Sequence, residues 1–169
     1  FCIKSRKRVA DVLDLVVTMV PLGHCIGRIG CFLNGCCYGR ASDSCLAVRF
    51  PHGSIPWSEQ LDAGLITPAA ATSLPVLPSQ LFESALNLLI FFVLLRHYPK
   101  RRHAGSQVAL YMILYATVRF IVEFSRADER LHFGWVSISQ AISIVLFSVG
   151  IGMFIRFARK PADISPPAA

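Results

Sequence analysis

Four apolar runs separated by short basic clusters constrain this chain more than any single motif does. They cover Val9 to about Ile29, Leu81 to Leu95, Gln107 to about Phe124, and Val136 to Phe157. A bilayer core needs about 20 apolar residues per crossing helix and offers no water to backbone N–H and C=O groups, so helices are what such runs must form. The chain is 54% hydrophobic and 16% charged over 169 residues. An ordinary soluble domain is charged at about 25% of its positions. The expectation is an all-α integral membrane protein with about four transmembrane helices in a single domain over 1–160, followed by a disordered Pro/Ala-rich tail over 161–169.

The net charge of +7 lies in clusters at Lys4–Arg8, Arg96–His103 and Arg156–Lys160. Basic clusters that flank apolar runs mark cytoplasmic loops, so the charge is topology and no nucleic-acid partner is implied. With both chain ends and the 96–103 loop cytoplasmic, the end of the first run, the start of the second and the end of the third all face the outer side. The first run carries Asp11, Asp14 and Thr18 on one face, with no small-residue cleavage site behind it, and so is not a signal peptide. Opening on Phe1 with a basic cluster already in place is the pattern of a fragment.

Residues 41–78 form a long outer-side loop or arm with Pro51, Pro56, Pro68, Pro75 and Pro78. Short extended pieces such as Cys45 to Phe50 are expected in it. Trp57 with Leu61, Leu65 and Ile66 suggests a segment lying on the membrane interface.

Two stretches carry chemistry. The first is His24 to Arg40, rich in glycine, cysteine and arginine where a membrane helix should reach its interface. Glycines let a ligand approach the backbone, and an arginine near the surface can grip a phosphate by paired hydrogen bonds. The second is Tyr115, Arg119, Glu123 and Arg126, spaced by four, four and three, hence within about 80° on a helix. An arginine and a glutamate deep in an apolar run cost about 2.5–3.5 kcal/mol each unless they face a polar cavity. The plain alternative is an Arg119–Glu123 pair that only locks helices. Glu83 and Asn87, four apart at the start of the second run, share a face beside Gln80.

The topology gathers Arg28, Arg119 and Arg126 with Glu83, Glu123, Asn34, Gln80 and Tyr115 at one outer interface. Fixed cations near a headgroup layer match a phosphate, and a phospholipid is the natural ligand. The carboxylates either hold the guanidinium groups or move protons. No Walker-type loop is present, and Gly27-Arg28-Ile29-Gly30 follows no predicted strand, so dinucleotide binding is not expected. Cys25, Cys31, Cys36 and Cys37 lack C-x-x-C spacing and the histidines are scattered, so structural or oxidised thiols are expected and no metal.

Gly27-Arg28-Ile29-Gly30-x-Phe32-x-Asn34-Gly35 followed by Gly39-Arg40 resembles the signature of the bacterial prolipoprotein diacylglyceryl transferase family. Pro78-Ser79-Gln80-Leu81-Phe82-Glu83, the Tyr115 to Asp128 stripe, Ser139-Gln140-x-x-Ser143, and Asp14 with Pro21-Leu22-Gly23 are similar to other segments of that family, in order. The resemblance implies a multi-pass enzyme of the bacterial inner membrane, with its site toward the outer side. It would move the diacylglyceryl group of phosphatidylglycerol to the lipobox cysteine of a prolipoprotein, forming a thioether and releasing glycerol phosphate, with no cofactor.

On that resemblance Arg28 and Arg119 hold or activate the phosphate, Glu123 orients Arg119, and Tyr115, Asn34 and Arg126 complete the site. Gly30, Gln80 and Glu83 belong to the substrate-binding set, and Gly39 permits close packing. The sequence departs from the family at Cys31, where Asn is usual, and at Cys36, where Glu is usual. Family helices that carry a catalytic histidine have no counterpart in these residues. His24, one turn before Arg28, either stands in for that base or only packs. Two other readings stand beside the transferase: a non-catalytic phospholipid-binding paralogue, and a membrane thiol-redox protein using Cys31, Cys36 and Cys37.

Overall fold

The computed structural model describes residues 9–123, 132–133, 136–159 and 161. Its helices are α1 (Val9–Asn34), α2 (Ile55–Asp62), α3 (Ser79–His97), α4 (Ser106–Glu123) and α5 (Ile138–Ala158). Four of these, α1, α3 with the 3₁₀ turn that follows it, α4 and α5, are long and apolar enough to cross a membrane. Among the described residues the only ladder is β1 (His132–Phe133) paired antiparallel with β2 (Val136–Ser137) ahead of α5. The fold is all-α, as the apolar runs predict. The expected tail, apart from Pro161, lies outside the described residues.

Helix α1 buries Asp14, Thr18, Pro21 and Cys25, a stripe at helical spacing, and exposes Leu13, Val16, Met19, Ile26 and Leu33. A helix in lipid turns its polar stripe inward for this reason: lipid solvates Leu and Ile, whereas only protein can partner a carboxylate. The helix runs five residues beyond the predicted end at Ile29. Gly27 and Gly30 cost about 1 kcal/mol each in a helix without breaking it. The stop comes at Gly35, with φ +74°. Its N–H donates to the Phe32 carbonyl at 3.1 Å and the Cys36 N–H reaches back to the Cys31 carbonyl at 3.1 Å. That bond pair is the Schellman ending, which requires a left-handed residue and so favours glycine.

Residues 41–78 contain α2 and three isolated bridges, Ala41 to Val76, Val48 to Val76 and Pro51 to Thr72, rather than continuous strands. The segment has a small core of its own in Phe50, Trp57 and Val76. Trp57 is only 7% exposed and donates its Nε1–H to the Ala70 carbonyl at 2.8 Å. It therefore anchors this core, as a satisfied indole does, while Leu65 of the same segment is exposed.

Helix α1 packs on α3 and α4 on α5, and the two pairs meet through α3 against α4 and α1 against α4. The α4–α5 contact depends on small residues. A Cβ added at Gly150 would lie 2.9 Å from Ile113 Cγ1 and 3.1 Å from the Ala109 carbonyl. Ala109, Ala116, Ser143 and Gly150 are all buried, the composition that lets membrane helices approach closely.

At the end of the bundle where α1 begins, Asp14 is fully buried and caps α4. Its carboxylate accepts the backbone N–H of Gly105 at 2.9 Å, Gln107 at 3.1 Å and Val108 at 3.3 Å. Arg101 lies 3.5 Å away. A helix N-terminus has orphan donors and a partial positive charge, and a carboxylate from a neighbouring helix answers both. Gln107 extends the network, donating to Thr18 Oγ1 at 3.1 Å and the Leu94 carbonyl at 2.8 Å.

Candidate functional site

The charged centre of the opposite end lies on three helices. Arg28 is six residues before the end of α1, Glu83 is in the second turn of α3, and Arg119 and Glu123 are in the last turns of α4. Glu83, 3% exposed, is the hub. Its Oε1 is 2.8 Å from Arg28 Nη2 and 4.0 Å from Arg119 Nη1. Arg119 Nη2 lies 3.7 Å from Glu123 Oε2, the (i, i+4) pair that the spacing predicts. The same guanidinium also faces a carboxylate from another helix, so Arg119 links α4 to α3.

The two arginines are held differently. Arg28 makes a short charge-assisted contact, whereas Arg119 sits at distances too long for hydrogen bonds. Arg119 Nη1 is buried without a hydrogen-bond partner among the described residues. A buried guanidinium donor left open beside a cavity is a ready acceptor-binding group.

The cavity that Arg119 lines, of about 420 Å³, is bounded also by Tyr115, Ser139, Ser143 and apolar residues of α5. A second cavity, of about 250 Å³, is lined by Gly23, His24, Gly27, Arg28, Cys31, Glu83 and Tyr115, so that Tyr115 borders both. A Cβ at Gly23 or Gly27 would meet nothing within 4 Å, so these glycines leave open space beside Arg28. The Tyr115 ring is 5.6 Å from that of His24 and 5.5 Å from that of Tyr111. His24 is thus a cavity-lining residue in ring contact with Tyr115.

Other predicted site residues take different places. Gln80 is buried and donates to the Cys36 carbonyl at 2.8 Å, tying the turn after α1 to α3. Gly39 is buried, and its N–H donates to the Leu77 carbonyl at 2.8 Å. Asn34 is exposed at the last residue of α1, and Gly30 is exposed in mid-helix with open space around it; neither lines the Arg28 cavity. Arg126 lies outside the described residues. Cys31, which the family resemblance puts at a site-lining position, does line the Arg28 cavity, one turn beyond Gly27. Sequence reasoning missed Asp14 as the cap of α4, because Asp14 and Gln107 are far apart in the chain.

The fold and this site define a class: a helical membrane protein that gathers arginine and glutamate from three helices around a cavity near one end of the bundle. The chain belongs to the prolipoprotein diacylglyceryl transferase family, whose model matches residues 1–156. It is 37% identical over 155 residues to the phosphatidylglycerol–prolipoprotein diacylglyceryl transferase of Clostridium tetani, covering 92% of this chain and 56% of that protein. It is 36% identical over 168 residues to the enzyme of the same name from Xanthomonas oryzae pv. oryzae, covering 94% of this chain and 56% of the relative. With the Bordetella parapertussis transferase it shares 32% identity over 166 residues, 96% of this chain and 57% of that one. The chain spans about half the length of the curated relatives it matches.

Proposed function

We propose that this chain supplies the phosphate-holding part of an enzyme that transfers the diacylglyceryl group of phosphatidylglycerol to the lipobox cysteine thiol of prolipoproteins. The observation that carries this reading is the meeting of Arg28 and Arg119 at one buried carboxylate, Glu83, with each arginine lining an open cavity and Tyr115 bordering both. Two cations fixed in a low-dielectric site attract a phosphodiester, and they stabilise the negative charge that builds as it leaves. Arg119, whose buried Nη1 has no hydrogen-bond partner among the described residues, takes a phosphate oxygen, and Arg28 takes a second. Glu83 and Glu123 position the guanidinium groups and keep them apart from each other's charge.

The acceptor thiol attacks the glycerol carbon that bears the phosphate. A C–S bond forms, the C–O bond to phosphate breaks, and glycerol phosphate departs with both electrons of that bond. The thiol proton goes to a base. His24 lines the Arg28 cavity in ring contact with Tyr115 and is the imidazole nearest to Arg28 in sequence. The apolar cleft of about 260 Å³ between α4 and α5, walled by Ala116, Phe120, Ile144 and Phe147, adjoins the Arg119 cavity through Ser143 and receives the headgroup end of one acyl chain. The positive clusters at 4–8, 96–103 and 156–160 support a bacterial inner-membrane placement with both ends of the chain cytoplasmic and the site toward the outer side.

The test uses membranes that contain the protein, phosphatidylglycerol labelled in its glyceride, and a lipobox peptide. Label passes to the peptide thiol in the wild type and is lost in Arg28→Ala and in Arg119→Ala. Full activity in both variants overturns the site. Lipid retained in native mass spectrometry with no product formed replaces the transferase with a lipid-binding protein.

A further inference from the structure

The cysteines that follow the cavity form a cluster that the lipid chemistry leaves unused. Cys31, Cys36 and Cys37 bring their Sγ atoms within 4.8 Å of one another, and all three are free thiols and half-buried. Their spacing in sequence hides this. In a Schellman ending the second residue past the helix folds back over the residue three before its cap, which brings Cys36 onto Cys31. Cys37 then adopts φ +61°, a left-handed conformation that disfavours any residue with a Cβ and turns its side chain back toward the pair.

The scaffold under these thiols is pinned. Ser79 Oγ donates to the Cys37 carbonyl at 2.9 Å, and Gln80 Nε2 donates to the Cys36 carbonyl at 2.8 Å. The first turn of α3 thereby holds the backbone of both residues, the kind of outer support that metal ligands receive. Cys36 Sγ has only a long contact, 3.7 Å, to the Cys31 carbonyl, a weak bond that a metal displaces at little cost.

We propose that Cys31, Cys36 and Cys37 form a binding site for a thiophilic metal ion of the Cu(I) class. Metal–sulfur bonds of about 2.3 Å place the three sulfurs of a trigonal site about 4 Å apart. Closing from 4.8 Å to that spacing takes less than 1 Å of side-chain movement. Three thiolates complete the shell of Cu(I), whereas Zn(II) has to recruit a fourth ligand. Each thiol loses its proton to solvent as the ion binds, and no electron is exchanged. Arg28 lines the same cavity as Cys31 and supplies positive charge beside the resulting anionic cluster. This site stands independently of the lipid-transfer reading, because neither its geometry nor its test involves lipid.

The test loads the purified wild-type protein in detergent with Cu(I) alone, delivered anaerobically from a chromogenic chelator, and maps maleimide labelling of each cysteine by mass spectrometry. One ion per chain binds and shields Cys31, Cys36 and Cys37 together, while the exposed Cys45 labels as before. Loss of an outer-shell partner costs a metal site about 10–100-fold in affinity, so Cys31→Ser, Cys36→Ser and Cys37→Ser each lower affinity by at least that factor, and Cys45→Ser does not. Protection of only two of the three, equal protection of Cys45, or thiols that stay unreactive until reduced would overturn the proposal. The wild-type labelling decides the matter even where a serine variant does not fold.

Discussion

Both ends of the bundle bury an acid from one helix against a neighbour, and they use it in opposite ways. Asp14 spends its two oxygens on three backbone N–H groups of α4. Glu83 presents one oxygen to two arginine side chains beside a cavity. The arginines differ accordingly. Arg101 lies over the Tyr98 ring at 3.8 Å and donates to the Tyr98 carbonyl at 3.1 Å, so it is enclosed by its own segment. Each leaves one buried guanidinium nitrogen without a hydrogen-bond partner among the described residues, Nε in Arg101 and Nη1 in Arg119, and Arg119 differs in lining a cavity of about 420 Å³. A carboxylate that answers a helix terminus is architecture. A carboxylate that holds two guanidinium groups at the edge of an open space is equipment for an anion.

This contrast is broken most directly by removing Asp14. Asp14→Ala removes the acceptor of three backbone N–H groups at a fully buried helix start and takes from Arg101 the nearer of its two acids, leaving Asp11 at 3.8 Å. Breaking a buried charge network of this kind costs about 3–5 kcal/mol. The measurement is thermal unfolding in detergent, where a melting point close to wild type would show that the cap does not hold the bundle together. Arg28→Ala and Arg119→Ala come next. Loss of one fixed charge-stabilising donor costs about 10²–10³-fold in turnover, and the expected outcome is that loss with near-wild-type melting. A collapse of stability instead would make the two ends alike.

The same chemical change at both ends sharpens the comparison further. Asp14→Asn turns an amide N–H₂ toward backbone donors that need an acceptor, so it should destabilise the fold. Glu83→Gln keeps an oxygen for Arg28 but removes the charge that lets two guanidinium groups share one site. Its effect should fall on transfer, by about 10–100-fold through loss of alignment, with a smaller change in melting. Kinetics and unfolding of the two variants side by side give the answer, and equal effects on both readouts would dissolve the distinction.

How much of this was legible depended on the distance over which each interaction acts. The helices were legible because a run of apolar residues has one solution in lipid, and the pair Arg119–Glu123 because a helix repeats every 3.6 residues. The convergence of Arg28, Glu83 and Arg119 followed from counting basic loops. What stayed hidden was set by local turns and by tertiary contact. The continuation of α1 past Gly30 depended on where a left-handed residue could end it, and Gly35 did so. Trp57 stands out by composition, but its bond to the Ala70 carbonyl is set by the folding of 41–78. The role of Asp14 could not be inferred from its neighbours in sequence, because its partners Gly105, Gln107 and Val108 begin a different helix.

The smallest expected effect lies at the arginine end, in the first turn of α3, at Gln80. Its Nε2 donates to the Cys36 carbonyl, and Glu83 is one turn further along α3. Gln80→Ala removes one hydrogen bond and leaves a carbonyl unpaired, a loss of about 1–2 kcal/mol. Because Gln80 touches no cavity-lining charge, the change acts through the turn after α1, loosening Cys36 and Cys37 while α3 stays in place. Transfer should fall only severalfold, through a higher KM for lipid with kcat little changed, and maleimide labelling of Cys36 and Cys37 should quicken. A drop in kcat as deep as that of Arg119→Ala would instead place Gln80 among the groups that act on the phosphate.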